Sequence, residues 1–92
     1  MTQQMQDFTH ESNVLALAIL EWHGGGGSAV YQIGSHMYAG HLQAVANMFA
    51  PNEEYSTIAE RAIMELRAND TEESDILADQ LESWINCYNA LV

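Results

Sequence analysis

Hydrophobic positions recur along the chain with a helical period and divide it into four segments. At 100° per residue, side chains three and four positions apart share one side of an α-helix. The first segment runs from about Thr9 to Trp22 and is apolar on almost every side, which predicts a helix that is central in the core or partly covered by another chain. One side carries Phe8, Leu15, Ala18, Ile19 and Trp22, and the other sides carry Val14, Leu17 and Leu20.

The second segment runs from about Ser28 to Phe49 and has an apolar face flanked by a second ridge. Glycine inside a helix costs about 1 kcal/mol relative to alanine, so Gly34 and Gly40 predict a bent helix or a division into two. The face comprises Val30, Ile33, Met37, Ala44, Val45 and Met48, with Gly34 and His41 among them, and the ridge comprises Tyr31, Tyr38, Leu42 and Phe49.

A β-hairpin is the alternative for the first part of this segment. Residues 29–33 and 36–40 could form two short strands joined by Gly34-Ser35, a suitable pair for a type II′ turn. We favour the helix because the apolar face continues to Met48 and because an isolated hairpin of this length is only marginally stable in water.

Two clearer amphipathic helices follow. Asn52 is predicted to cap the third helix, and the fourth is predicted to open at Asp70 or Thr71, with glutamates in each first turn, where the helix dipole favours anions. The buried faces comprise Tyr55, Ile58, Ala59, Ala62, Ile63 and Leu66 in the third helix, and Leu77, Leu81, Trp84, Ile85, Tyr88 and Leu91 in the fourth. The pattern predicts an all-α protein, a compact bundle of about four helices in one domain over residues 1–92.

Four consecutive glycines, Gly24 to Gly27, separate the first two segments. Glycine ends helices readily and Ser28 is a good N-cap, so the run is interpreted as a joint between helices. An oxyanion hole would require a nucleophile elbow, G-x-S-x-G, which Gly26-Gly27-Ser28-Ala29-Val30 does not complete. A phosphate-binding P-loop would require a lysine, and the chain has none. We therefore expect no enzyme and no cofactor.

The charge balance is strongly acidic, with 13 carboxylates against two arginines and a formal net charge of −11. Such a charge excludes electrostatic attraction to nucleic acid or to an anionic membrane and favours contact with basic protein surfaces. The single cysteine, Cys87, permits no internal disulfide. The amino terminus lacks a basic region typical of a signal peptide, and the longest apolar run, Val14 to Leu20, is too short to span a bilayer. We expect a cytoplasmic protein.

The carboxylates are concentrated in the second half of the chain, since ten of the 13 lie between Glu53 and Glu82, whereas residues 22–52 contain no charged side chain. One interpretation is a solvated face kept for solubility. The sharper hypothesis is an inhibitor or adaptor that binds a basic protein, in the manner of the acidic nucleic-acid mimics carried by phages and plasmids. The predicted partner-binding residues are Glu53, Glu54, Glu60, Glu65, Glu72, Asp75, Asp79 and Glu82.

The uncharged half suggests a second function, a structural or assembly subunit that pairs with itself. The first two segments have more apolar surface than a single bundle of this size is expected to cover, which predicts a homodimer. The predicted self-association residues are Leu17, Leu20, Tyr31, Tyr38, Leu42 and Phe49.

No metal site is predicted from the histidines and the cysteine. On one continuous helix, His36 and His41 would be about 140° apart and could not easily share an ion. His41 lies on the apolar face and is predicted to be a hydrogen-bonded core histidine. Cys87 is predicted to be an inert, partly buried thiol.

Overall fold

The computed structural model describes residues 3–23, 28–51 and 57–92, and within them the chain is helical. Five α-helices follow one another: α1 (Gln3–His23), α2 (Ala29–Tyr38), α3 (Leu42–Asn47), α4 (Ile58–Ala68) and α5 (Glu72–Leu91). The expectation of an all-α bundle is confirmed. The hairpin alternative is wrong, because residues 29–38 form one helix closed by consecutive helical hydrogen bonds rather than two strands.

Four helices form a closed ring, and α3 is a short addition to α2. Helix α1 packs against α2 and α5, and α4 packs against the same two neighbours. The ring encloses one core, whose fully buried large side chains include Ile19, Ile33, Met37, Leu66 and Leu81. Each of the four long helices therefore contributes to the same interior, as the apolar faces predict.

Helix α1 begins at Gln3, earlier than the predicted start near Thr9. In these extra turns Phe8 packs against α5. The centroid of its ring lies 5.4 Å from that of Trp84 and 6.2 Å from that of Tyr88. The Gln3 amide also donates to Asp7 Oδ1 at 3.0 Å. Periodicity alone missed these turns because glutamines dominate their sequence, and Met5 and Phe8 are the two residues of 3–8 that pack against the core.

The second predicted helix divides into α2 and α3 at residues 39–41. Gly40 adopts a φ of +83°, a left-handed conformation that a side chain disfavours. Ser28 caps α2 as predicted, since its Oγ accepts from Tyr31 N–H at 3.0 Å. At Gly34 the helix approaches α1 closely, because a Cβ atom there would lie 3.1 Å from atoms of both Ile19 and Leu20. Gly34 is thus a packing residue, whereas Gly40 ends a helix.

His41 was predicted to be a core histidine, and this prediction is wrong. The helix break turns His41 away from the apolar face, and its side chain is exposed at the N-cap of α3 without a side-chain capping bond. Val45, one turn further on, is fully buried. The apolar face therefore resumes after the break in a different orientation.

The two acidic helices begin at threonine caps. Thr57 Oγ1 accepts from Glu60 N–H at 2.8 Å at the start of α4. Of the two predicted starts of α5, Asp70 and Thr71, the cap is Thr71, and it forms a reciprocal capping box with the buried Ser74. The prediction that Asn52 caps the third helix is wrong, because that helix begins five residues later, at the cap Thr57. Asn52 itself and the glycine joint at Gly24–Gly27 lie outside the described residues.

Candidate protein-interaction surfaces

An acidic face runs along the exposed side of α5 and consists of Glu72, Asp75, Asp79 and Glu82. All four side chains are exposed, opposite the buried face of the same helix. Residues three and four apart on a helix are neighbours at roughly 5–6 Å between Cβ atoms. The acidic face is therefore a continuous row of negative charge, fixed in place by the capping box at its first turn.

Arg67 of α4 lies beside the C-terminal half of this acidic face, at Asp79 and Glu82. One of its terminal nitrogens is 3.2 Å from Asp79 Oδ1 and 3.3 Å from Glu82 Oε2. Periodicity within α5 predicts only repulsion between these carboxylates, because their counter-ion comes from another helix. The side chains are largely solvated, so each ion pair contributes little to stability. Glu72 and Asp75 form no ion pair with the arginine.

The carboxylates before α5 differ in their surroundings. Glu60 is exposed on α4. Glu65 is half-buried and points to the start of α2, where its two oxygens accept from the backbone N–H groups of Ala29 and Val30 at 3.4 and 3.3 Å. A carboxylate at this position complements the positive end of the α2 dipole. Glu65 thus has a role within the fold, and Glu53 and Glu54 lie outside the described residues.

A groove between α1 and α5 was not predicted from the sequence. Its volume is about 540 Å³. Its floor includes the ring of Trp84, whose Nε1–H donates to the Oγ of the buried Ser12 at 2.8 Å. A serine amid the apolar residues of α1 is the only sequence signal that could have suggested it. The groove is lined by Phe8, Glu11, Ser12, Val14, Leu15, Ala18, Gln80, Ser83, Trp84 and Cys87.

Cys87 lies in this groove, and the prediction that its thiol is partly buried is wrong. The side chain is exposed because it follows Gln80 and Ser83 along the side of α5 that borders the groove rather than the core. The buried side of this part of α5 instead carries Trp84 and Tyr88, whose rings stack at a centroid distance of 5.2 Å.

The six predicted self-association residues fall into two groups. Leu42 and Phe49 pack against the core, and the Phe49 ring stacks on Trp84 at 5.9 Å. Leu20 is half-buried at the close approach of α1 and α2. The other three stay exposed, at 42% for Leu17, 38% for Tyr31 and 48% for Tyr38.

The exposed three lie around the contact between α1 and α2. Leu17 is one turn from Leu20 on α1, and Tyr31 and Tyr38 lie on either side of Gly34 on α2. Because Gly34 meets Leu20, Leu17, Tyr31 and Tyr38 border one seam between the two helices. We call these three residues the tyrosine patch.

His36 and His41 are closer together than a continuous helix would allow. Their ring centroids are 5.9 Å apart with an interplanar angle of 46°, because the turn at Gly40 brings the start of α3 back towards α2. His41 N–H also donates to His36 O at 3.0 Å. Within the described ranges, no group of three or more His, Cys, Asp or Glu side chains could hold a metal ion.

Comparisons of the chain with protein-family models, with curated proteins and with solved structures found no match. In the part of the chain that the structure describes, no helix is both long and apolar enough to cross a membrane. The function of the chain is therefore inferred from the geometry and charge of its own surfaces.

Proposed function

We infer that this chain is a protein-interaction module that binds a basic surface of a partner protein through the acidic face of α5. The observation that carries the proposal is the row of four exposed carboxylates on a single capped helix. A row of one charge sign concentrates a negative potential, which speeds association with a basic partner and selects against acidic ones. No catalytic step is part of the proposal.

The groove between α1 and α5 supplies the apolar contact that an acidic row lacks. Asp79 is one helical turn from Ser83, which lines the groove, and Glu11 borders it on α1. A basic amphipathic segment could place apolar side chains against Val14 and Leu15, which line the groove, and direct Lys or Arg side chains to these carboxylates. This mode of recognition, a helix in a groove, combines apolar affinity with electrostatic selection.

A nucleic-acid-binding protein is the class of partner that fits best. The groove of such a protein is lined with Lys and Arg that normally meet a row of phosphates. Carboxylates spaced along one helix present a comparable row of negative charge. The module would then act as an inhibitor that occupies the nucleic-acid site, or as an adaptor that docks beside it.

The test compares two double variants with equal changes of charge. Glu72→Gln with Asp75→Asn removes two carboxylates of the acidic face that make no ion pair with Arg67. Asp7→Asn with Glu21→Gln removes two exposed carboxylates of α1 and is the control. Each protein is used to capture partners from the host, and the affinity of the captured partner is then measured against salt concentration.

We expect the wild type and the α1 control to bind the same basic partner. The acidic-face variant should bind it at least about tenfold more weakly, and wild-type binding should weaken steeply between about 50 and 300 mM salt. Equal binding by both double variants, or binding that is insensitive to salt, would refute the proposal.

Self-association through the tyrosine patch is the second candidate function. Its support is the exposure of Leu17, Tyr31 and Tyr38 around one seam, with both tyrosines in the stretch 22–52 that contains no Asp, Glu, Lys or Arg. Tyrosine is enriched at protein interfaces because it offers apolar area with a polar end. Light scattering at micromolar concentration should give about twice the chain mass of 10.2 kDa. The variant Leu17→Gln with Tyr38→Gln should halve it, and a wild-type mass near that of one chain would refute this candidate.

A further inference from the structure

His36 and His41 are brought together by the break between α2 and α3. The break is set by the left-handed conformation of Gly40 and by the hydrogen bond from His41 N–H to His36 O. Both imidazoles are exposed, and their centroids are 5.9 Å apart. Two exposed imidazoles at this distance have the ligand type that suits a borderline metal ion, since imidazole is the commonest nitrogen ligand in proteins.

The distance is close to what a shared ion requires. With metal–nitrogen bonds of about 2.1 Å, two imidazoles in cis positions on one ion have ring centroids roughly 4.5–5.5 Å apart. The two rings need to approach by roughly half an ångström to one ångström, which small rotations of exposed side chains can supply without disturbing the core. The backbone turn at Gly40 therefore already brings the two rings close to the separation that a shared ion requires.

We propose that His36 and His41 form a two-imidazole site for a divalent first-row transition metal, with Zn²⁺ as the ion to test, completed by water molecules. The surrounding sequence favours the site, because residues 22–52 contain no Lys or Arg that would repel a cation. They contain no Asp or Glu either, so the site would select for imidazole-preferring ions over Ca²⁺ or Mg²⁺, which require oxygen ligands. The site is independent of the acidic face and of its proposed partner.

The experiment is a Zn²⁺ titration of the full chain by calorimetry, in a buffer with millimolar Mg²⁺ to occupy the carboxylates of the acidic helices. We expect one Zn²⁺ per chain. His36→Ala and His41→Ala should each weaken Zn²⁺ binding by about tenfold or more, because the one imidazole that remains cannot chelate the ion. His10→Ala, which removes an exposed imidazole from α1, is the matched control and should change the affinity less than about twofold.

A chelate has a further signature that separate sites lack. The loss of Zn²⁺ affinity in the double variant His36→Ala with His41→Ala should be smaller than the sum of the losses in the two single variants, because either substitution already removes the chelate. The ring resonances of His36 and His41 in a proton NMR spectrum should shift together at the same Zn²⁺ concentration. Single variants that bind as the wild type does, losses that add in the double variant, or ring resonances that shift at different Zn²⁺ concentrations would each overturn the proposal.

Discussion

Helix α5 and the uncharged stretch over residues 29–50 show how differently two parts of one chain are specified. Helix α5 runs unbroken from Glu72 to Leu91, with carboxylates outside and Leu77, Leu81 and Trp84 inside. The uncharged stretch divides into two helices at Gly40, and its Phe49 packs partly buried against the core whereas its Tyr31 and Tyr38 are exposed. Charges fix which side of a helix faces water, because burying an unpaired charge is very costly. Where charges are absent, the packing of neighbouring helices makes that choice.

The largest expected effect is on the buried side of α5. Trp84→Ala removes the ring that contacts Phe8, Phe49 and Tyr88, and it should lower the free energy of unfolding by about 3–5 kcal/mol. Ile76→Ala is the control on the same helix, because Ile76 is half-exposed, and it should cost less than about 1 kcal/mol. Urea denaturation followed by circular dichroism measures both. Equal losses would show that α5 is not the two-sided helix described.

The next effect tests the break in the uncharged stretch. A Cβ atom on Gly40 would meet nothing within 4 Å, so Gly40→Ala changes only the backbone preference at φ +83°. It should reduce stability by about 1–2 kcal/mol. Gly40→Asn should recover part of this loss, because asparagine tolerates the left-handed conformation better than alanine does. A Gly40→Ala variant as stable as the wild type, measured by the same denaturation, would argue for a continuous helix.

The two regions also differ in how their helices begin. Thr71→Ala removes the capping box of α5 and should cost about 1 kcal/mol. His41→Ala alters the N-cap of α3, which makes no side-chain capping bond, so it should cost less than about 0.5 kcal/mol. Thermal unfolding of the two variants checks the difference. A larger loss for His41→Ala than for Thr71→Ala would reverse the comparison.

The smallest expected effect concerns the ion pairs of Arg67. Arg67→Gln removes contacts with Asp79 and Glu82 in which the arginine and both carboxylates are mostly solvated. The free energy of unfolding should change by less than about 0.5 kcal/mol at ordinary salt concentrations. The same variant makes the acidic face more negative and should strengthen binding to a basic partner. A stability loss above 1 kcal/mol would mean that the acidic face needs its counter-ion to fold.

The fold class, the faces of α4 and α5, the cap at Ser28 and the start of α5 to within one residue could all be predicted from the amino-acid sequence. These features are local, because capping and one-sided burial depend on residues within a few positions of one another. The exposed positions of Glu72, Asp75, Asp79 and Glu82 follow from the same periodicity. The acidic face could therefore be predicted without knowing how the helices pack.

The features that join distant residues could be established only from the folded bundle. The contact between Ser12 and Trp84, the position of Arg67 between two carboxylates of α5, and the capping of α2 by Glu65 all link separate helices. His36 and His41 are only five residues apart, yet their proximity could not be predicted, because helical periodicity places them on different sides of a continuous helix and the helix in fact ends between them. The propensity penalty of a glycine does not say whether a helix bends, breaks or continues. At Gly34 the absence of a side chain lets α1 pack closely against α2. At Gly40 it lets the backbone adopt a left-handed conformation that ends α2. The two glycines differ because their surroundings in the folded bundle differ.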